Sequence, residues 1–500
     1  MKKKKSESNQ SCRELTPEEE FLQKEKERSR NNRIKNRPIL VMTYSIVTIF
    51  MCMIGYIIYF MSFRAEQVIA NSRNLRQDSF ADVVERGDII TSDGEVIATS
   101  TTDEEGNTYR SYPYNNMFAH VVGYEGRGKA GLELSGNFYM LRSHINIFER
   151  VYMQLSEEKN RGDNVITTVS YKLQSAAYNA MGGCNGAVVA IEPSTGKILV
   201  MISKPDYNPN NMDNVWAYLD SEEGRESSIL LNRATQGMYA PGSTFKIVTL
   251  LSYIRENPDY TDYTYTCNGS EIFNGVDIHC SNDRVHGTVS IGDSLAYSCN
   301  GSFATMGTSL DYGKYRDTAE ELLFNCELPY DGIYNKSYFE ISKNSRSDEI
   351  PQTAIGQGNT QITPLHNAMI VSAIANGGVL MKPYLIDRIE NDDGAKVKKF
   401  GSKTYGNLMT NKEAQILTDY MKGVCSYGTA SGYFSGTPYE VAGKTGTAEY
   451  DNQGHCNSWF VGFSNPDNPD LVVSVIMEDY STYGITGASV AKAIFDAYYQ

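Results

Sequence analysis

A chain of 500 residues, 41% hydrophobic and 21% charged, is too long for one hydrophobic core and too apolar for disorder, and its 42 Gly and 15 Pro exclude a collagen-like or low-complexity protein. The formal charge of −14 divides unevenly, with 12 Lys+Arg against 7 Asp+Glu in residues 1–38 and 34 against 53 in the remainder. An acidic body without a basic stripe excludes nucleic acid as a partner.

In chain order, the first element is a basic head, residues 1–38, whose Lys2–Lys5 run and Glu25–Arg28 charges predict a mobile, solvated segment. Residues 39–63 follow without a single charge, and these 25 residues exceed the roughly 20 that cross a bilayer as a helix. The alternative is a cleaved signal peptide ending near Val68-Ile69-Ala70, but the apolar run is too long for one, and Arg64 and Glu66 interrupt it first. Arg28, Arg30, Arg33, Lys35 and Arg37 flank the anchor on its N-terminal side. The head is therefore expected in the cytoplasm and residues 64–500 outside.

Beyond the anchor, residues 64–165 read as a small β-containing stalk, with Arg86-Gly87-Asp88-Ile89-Ile90 leading into an Asp93-Gly94 turn. From residue 166 the texture changes. Gly186–Met201 predicts a hairpin around Pro193-Ser194-Thr195-Gly196, residues 458–463 and 471–477 predict two strands, and Ala488–Tyr499 has helical spacing. Strands at both ends with helices between them predict an α+β sheet assembled from distant segments.

Seven of the nine cysteines lie beyond the anchor, so at least one is unpaired within the chain. Cys267, His279, Cys280 and His286 lie close in sequence, and a disulfide or unpaired thiols is preferred to zinc there. Cys267 and Cys280, placed around an Asn274-Gly275 turn, are expected to form a disulfide. No metal and no cofactor is expected.

Pro241-Gly242-Ser243-Thr244-Phe245-Lys246 precedes an apolar run with helical spacing, Ile247 to Ile254. Ser243 is thus expected at a helix start, with Lys246 one turn on and on the same face. A hydroxyl beside an amine, at a helix end that stabilises an oxyanion, is a nucleophile with a base. Ser-x-x-Lys also occurs at Ser156, Ser194 and Ser489, but only Ser243 follows a Pro-Gly break and opens an apolar helix. Downstream stand Ser298-Cys299-Asn300 and then Lys444-Thr445-Gly446-Thr447. Ser-x-Asn is common, recurring for example at Ser72, Ser135 and Ser342, whereas Lys-Thr-Gly occurs once. The three in this order form the signature of penicillin-binding proteins and class A β-lactamases.

The chain resembles a class B penicillin-binding protein, the bacterial peptidoglycan D,D-transpeptidase. Arg86-Gly87, Asp93-Gly94, Ala119-His-Val-Val-Gly-Tyr124, Gly131-Leu-Glu133, His286-Gly287 and Ala354-Ile-Gly-Gln-Gly358 are also similar to that family. Cys299, where β-lactamases often carry Asp, fits the transpeptidase form; taken alone it reads as a small buried hydrophobe. The resemblance implies the α+β fold of penicillin-binding transpeptidases and serine β-lactamases, an antiparallel sheet with a helical subdomain, on residues 166–500. It implies Ser243 as the nucleophile, Lys246 as its base and Ser298 as a proton relay. Asn300 would hold the substrate amide, Lys444, Thr445 and Thr447 the terminal carboxylate, and the Ser243 and Thr447 backbone N–H groups the oxyanion. The implied partners are stem peptides, β-lactams, the lipid bilayer and a separate glycan polymerase of the shape, elongation, division and sporulation family. The stalk is too short for a polymerase domain of its own.

The rivals are weaker. Gly292-Asp293-Ser294-Leu295 spells the block of GDSL esterases, but neither later histidine, His366 or His455, has the Asp three residues earlier which that class requires. A β-lactam sensor would keep the motifs yet need a signalling domain. A D,D-carboxypeptidase or β-lactamase differs only in using water as acceptor.

Overall fold

A computed structural model describes residues 16–61, 84–104, 107–144, 159–342, 344–449 and 455–500. The Lys2–Lys5 run, Cys12, the last two residues of the expected anchor, Arg64, Glu66, the Val68–Ala70 site and Ser156 lie outside the described residues. The chain divides into two units, Met1–Asn71 and Ser72–Gln500.

Among its described residues the first unit holds one helix, α1 (Pro17–Tyr59). From residue 17 the head is helical and exposed throughout. Thr16 and Glu19 form a capping box, Pro17 occupies the first turn, and Lys24 pairs with Glu20 one turn earlier. These local devices carry the polar half of the helix without any packing. Its apolar half reaches a mean hydropathy of 2.0 and buries nothing within the protein, so α1 is long and apolar enough to cross a membrane.

The second unit is organised by two sheets. A six-stranded mixed sheet joins β1 (Ile89–Ile90), β2 (Val96–Thr102), β3 (Thr108–Ser111) and β4 (Asn164–Thr167) to β11 (Ile386–Glu390) and β12 (Lys396–Lys399), in the order β12-β11-β4-β1-β2-β3. The Asp93-Gly94 turn connects β1 and β2, as its sequence predicts, with Ile89 opposite Ala98. Beside this sheet a buried ionic cluster binds the segment together. Arg86 Nε donates to Glu133 at 2.6 Å, Arg110 Nε donates to the other carboxylate oxygen at 2.7 Å, and Arg86 also donates to Asn137.

The second sheet is five-stranded and antiparallel. It combines β5 (Gly186–Glu192), β6 (Lys197–Lys204), β13 (Val441–Glu449), β14 (Cys456–Ser464) and β15 (Val472–Met477) in the order β6-β5-β15-β14-β13. The hairpin and the two late strands predicted from sequence are therefore neighbours. All six residues of β15 are buried, because helices cover both faces. The pair α2 (Tyr171–Met181) and α7 (Gly487–Tyr499) packs on strands β6, β14 and β15, while α5 (Pro364–Ala375) and α6 (Asn411–Ser426) pack on β5, β13, β14 and β15. Central helix α5 is buried on all sides, from Pro364 to Ile374.

Between β6 and β13 the chain builds a helical region with α3 (Lys246–Glu256) and α4 (Asn300–Ser309). Two small hairpins precede α4: β7 (Thr264–Cys267) pairs with β10 (Gly287–Ser290), and β8 (Ser270–Phe273) with β9 (Val276–His279). Here the disulfide expectation is corrected. Cys267 Sγ and Cys280 Sγ are 3.7 Å apart, both thiols, well beyond the ~2.05 Å of a bonded pair.

Candidate active site

Three elements converge between the five-stranded sheet and the helical region. The first is the turn before α3. Residues Gly242–Phe245 form a tight 3-10 turn that runs directly into the α-helix, so Ser243 does stand at a helix start. Gly242 has φ +52°, and a Cβ there would lie 2.6 Å from Thr447 O on β13. Its N–H donates to Gly356 O at 2.9 Å, and a Cβ at Gly356 would strike Gly242 O. Trp459 Nε1 donates to Ala240 O at 3.0 Å from the other side. The serine backbone is thus clamped by strand, loop and indole, and its side chain remains half-buried.

The second element is the segment leading into α4. Ser298 adopts φ +57°, a conformation that costs a non-glycine residue about 1–3 kcal/mol and persists where surrounding structure imposes it. It turns Oγ toward two lysines. Lys246 Nζ donates to Ser298 Oγ at 3.1 Å, to Ser298 O at 2.8 Å and to Asn300 Oδ1 at 2.5 Å. Lys444 Nζ, from β13, donates to the same Ser298 Oγ at 3.0 Å and to Thr445 O at 2.8 Å. Both lone pairs of the Ser298 hydroxyl are then occupied, leaving its proton to be donated.

Both lysine side chains are completely buried, and among the described residues neither has a carboxylate partner. Burial lowers the Lys246 ammonium to about 8, against a small opposing effect of the nearby Cys299 and Cys280 thiols. Burial also depresses Lys444, and the charge of Lys246 depresses it further. Proximity of two cations in a dry site frees one of them to act as a base.

The third element is β13, which is an edge strand. Thr445 Oγ1 lies 2.6 Å from Thr429 Oγ1, and the Thr447 side chain is exposed. Asn300 donates one amide hydrogen to His279 O at 2.6 Å. Every residue singled out in the sequence, from Ser243 and Lys246 through Ser298 and Asn300 to Lys444, Thr445 and Thr447, lies on these three elements. Thr429, Gly356, Trp459 and the His279 carbonyl were not singled out for a role. Only Gly356 carried a signal, as part of Ala354-Ile-Gly-Gln-Gly358. The Ser294 of the esterase-like block is buried in a helix, where its hydroxyl donates to Ser290 O and accepts from Ser302.

A serine at a helix start, a buried lysine one turn on and a lysine-threonine edge strand define a serine acyl-transferring enzyme of the penicillin-recognising class. Residues 186–500 match the family described as penicillin binding protein transpeptidase domain, and residues 86–165 match the penicillin binding protein A dimerisation domain. The peptidoglycan D,D-transpeptidase PbpA of Mycolicibacterium smegmatis is 30% identical, over 87% of this chain and 93% of the relative. The peptidoglycan D,D-transpeptidase MrdA of Acinetobacter baumannii is 27% identical over 77% of this chain and 65% of its own length. Among solved structures, the ceftriaxone acyl-enzyme complex of Mycobacterium tuberculosis penicillin-binding protein A aligns with a TM-score of 0.75 at 27% identity, covering 85% of this chain and all of that one. The D,D-transpeptidase domain from Eggerthella lenta aligns with a TM-score of 0.72 at 29% identity, covering 83% and 98%. The chain belongs to the penicillin-binding protein transpeptidase family.

Proposed function

We propose that this peptidoglycan D,D-transpeptidase uses Ser243 as nucleophile and the Lys246–Ser298–Lys444 relay for its protons. Ser243 Oγ attacks the carbonyl between the last two residues of a stem peptide as its proton passes to neutral Lys246. Ser298 hands a proton to the departing amine and takes it from Lys246 in turn. The bond to the terminal residue breaks and an ester to Ser243 remains. An amine of a neighbouring peptide then attacks that ester, and the same groups run in reverse. The free edge of β13 pairs with the extended donor peptide as an added strand. Lys444, Thr445 and Thr447 receive its carboxylate, Asn300 its amide, and the Ser243 and Thr447 N–H groups the developing oxyanion.

The observation that carries this reading is the pair of fully buried lysines around one serine hydroxyl, with no carboxylate beside them among the described residues. A fluorescent penicillin should label the protein at Ser243 by peptide mass mapping, and S243A should not label. An adduct on another serine overturns the assignment.

By the charge asymmetry about α1, the head lies in the cytoplasm and the catalytic unit outside. The protein crosslinks strands made by a separate membrane polymerase of the shape, elongation, division and sporulation family. With lipid-linked disaccharide-peptide alone it should make no glycan chains, and crosslinks should form once a polymerase is added. Glycan made without one contradicts this partnership.

A further inference from the structure

Directly behind Ser298 and Asn300 lies a cluster the mechanism does not use. Cys267 ends β7, Cys280 follows β9, His286 precedes β10, and Cys299 caps α4. Their four ligand atoms lie within 4.8 Å of one another. Cys267 Sγ is 3.7 Å from Cys280 Sγ and 3.4 Å from His286 Nδ1, and Cys280 Sγ is 3.9 Å from Cys299 Sγ. With Zn–S near 2.3 Å and Zn–N near 2.0 Å, a tetrahedral ion sets S–S edges of about 3.8 Å and S–N edges of about 3.5 Å. Three sulfurs in ordinary van der Waals contact have no reason to converge with a ring nitrogen on one point. Ligands placed around an ion do.

We propose that Cys267, Cys280, His286 and Cys299 bind one zinc ion, which anchors the Ser298–Asn300 segment to the two small hairpins. Three thiolates and a neutral imidazole form a closed donor set, which fits a structural rather than a catalytic ion. Binding releases the protons of the three thiols. The three cysteines are buried and His286, half-buried, stacks on Tyr297. This ion replaces the expectation that the chain binds no metal.

The consequence reaches the acylation site through one peptide unit. Cys299 lies between Ser298, held at φ +57°, and Asn300, whose amide is tied to His279 O on the same hairpin. Fixing Cys299 Sγ to the hairpin cysteines therefore holds both flanking side chains against Lys246. The four ligands are positioning residues, and this part of the inference rests on the proposed roles of Lys246 and Ser298.

Full-length protein purified in detergent without chelator should contain one zinc per chain by elemental analysis. A mercurial thiol reagent should release that ion stoichiometrically, and cobalt substitution should give the thiolate charge-transfer and visible bands of tetrahedral Co(II). C267S and H286A should lose the metal while C326S keeps it. Stripping zinc from the wild type should slow penicillin acylation about 100-fold, the effect of a displacement near 1 Å, and added zinc should restore it. Folded, acylation-competent wild type without metal, or a Cys267–Cys280 disulfide in mapped peptides, overturns the site. Stoichiometric zinc whose removal leaves acylation unchanged retains the site but overturns its anchoring role. Failure of Ser243 to label, with zinc present, counts against the catalytic assignment alone.

Discussion

Two buried clusters of positive charge stand in this protein, and they resolve the same problem in opposite ways. Beside the six-stranded sheet, Arg86 and Arg110 enclose Glu133, whose side chain is fully buried. Burial alone would raise the Glu133 carboxyl, but Arg110 and Arg86 outweigh it and hold it below the usual range. At the other cluster, Lys246 and Lys444 meet over Ser298 with no counter-charge among the described residues, and both ammonium groups are pushed down instead. Arginine keeps its proton and needs a carboxylate, whereas lysine can give its proton away. The first arrangement holds a fold together, and the second, in the proposed mechanism, supplies a base.

The largest expected effect separates them by activity. K246A should slow penicillin acylation by roughly 100- to 10,000-fold, the worth of general-base help, with little change in fold by circular dichroism. E133A should do the reverse, costing about 3–5 kcal/mol of stability by removing the carboxylate that two buried guanidinium groups share. Acylation per folded molecule should persist in it, as read by active-site titration after denaturant unfolding. The acid limb sharpens the same contrast. Because the folded Glu133 lies below its unfolded value of about 4.3, its contribution is present above that pH and disappears as pH falls through the folded value.

Lys246 moves stability in the same direction with pH, in a higher window, but through a cost rather than a gain. Its folded value near 8 lies below the unfolded ~10.4, so between these the unfolded chain binds more protons and stability rises with pH. At pH 7 the buried amine costs about 3 kcal/mol, and K246M should be more stable than the wild type while failing to acylate. The smallest effect is expected from T429V, which removes the hydroxyl partner of Thr445. A lost hydrogen bond of about 1 kcal/mol should weaken acylation by carboxylate-bearing β-lactams several-fold.

How much of this could be read beforehand follows contact range. Pro241-Gly242-Ser243 with Lys246, the Pro193–Gly196 hairpin and the Asp93-Gly94 turn are local, and their residues specify them directly. The polar half of α1 was legible too, through Thr16, Pro17 and Glu19, but the density of charge beyond them suggested solvation instead. Thr429 and Trp459 act from far along the chain, and nothing in their own neighbourhoods signals a site; His279 drew notice for its ring, whereas its carbonyl is what meets Asn300. Ser298 offered a common motif, and its left-handed backbone depends on the packing around it. The four zinc ligands lie at the ends of four separate elements, so their spacing matches no short metal pattern although the fold gathers their donor atoms.

In the proposed mechanism Lys246 is a base because, among the described residues, no carboxylate shares its burial. The second-order rate of acylation by a penicillin that does not titrate above pH 5, measured on the free enzyme from pH 6 to 10, tests this most directly. The rate should climb with pH to a plateau with a midpoint near 8, and that limb should vanish in K246A. A flat profile across this range in the wild type, or an unchanged limb in K246A, would contradict it.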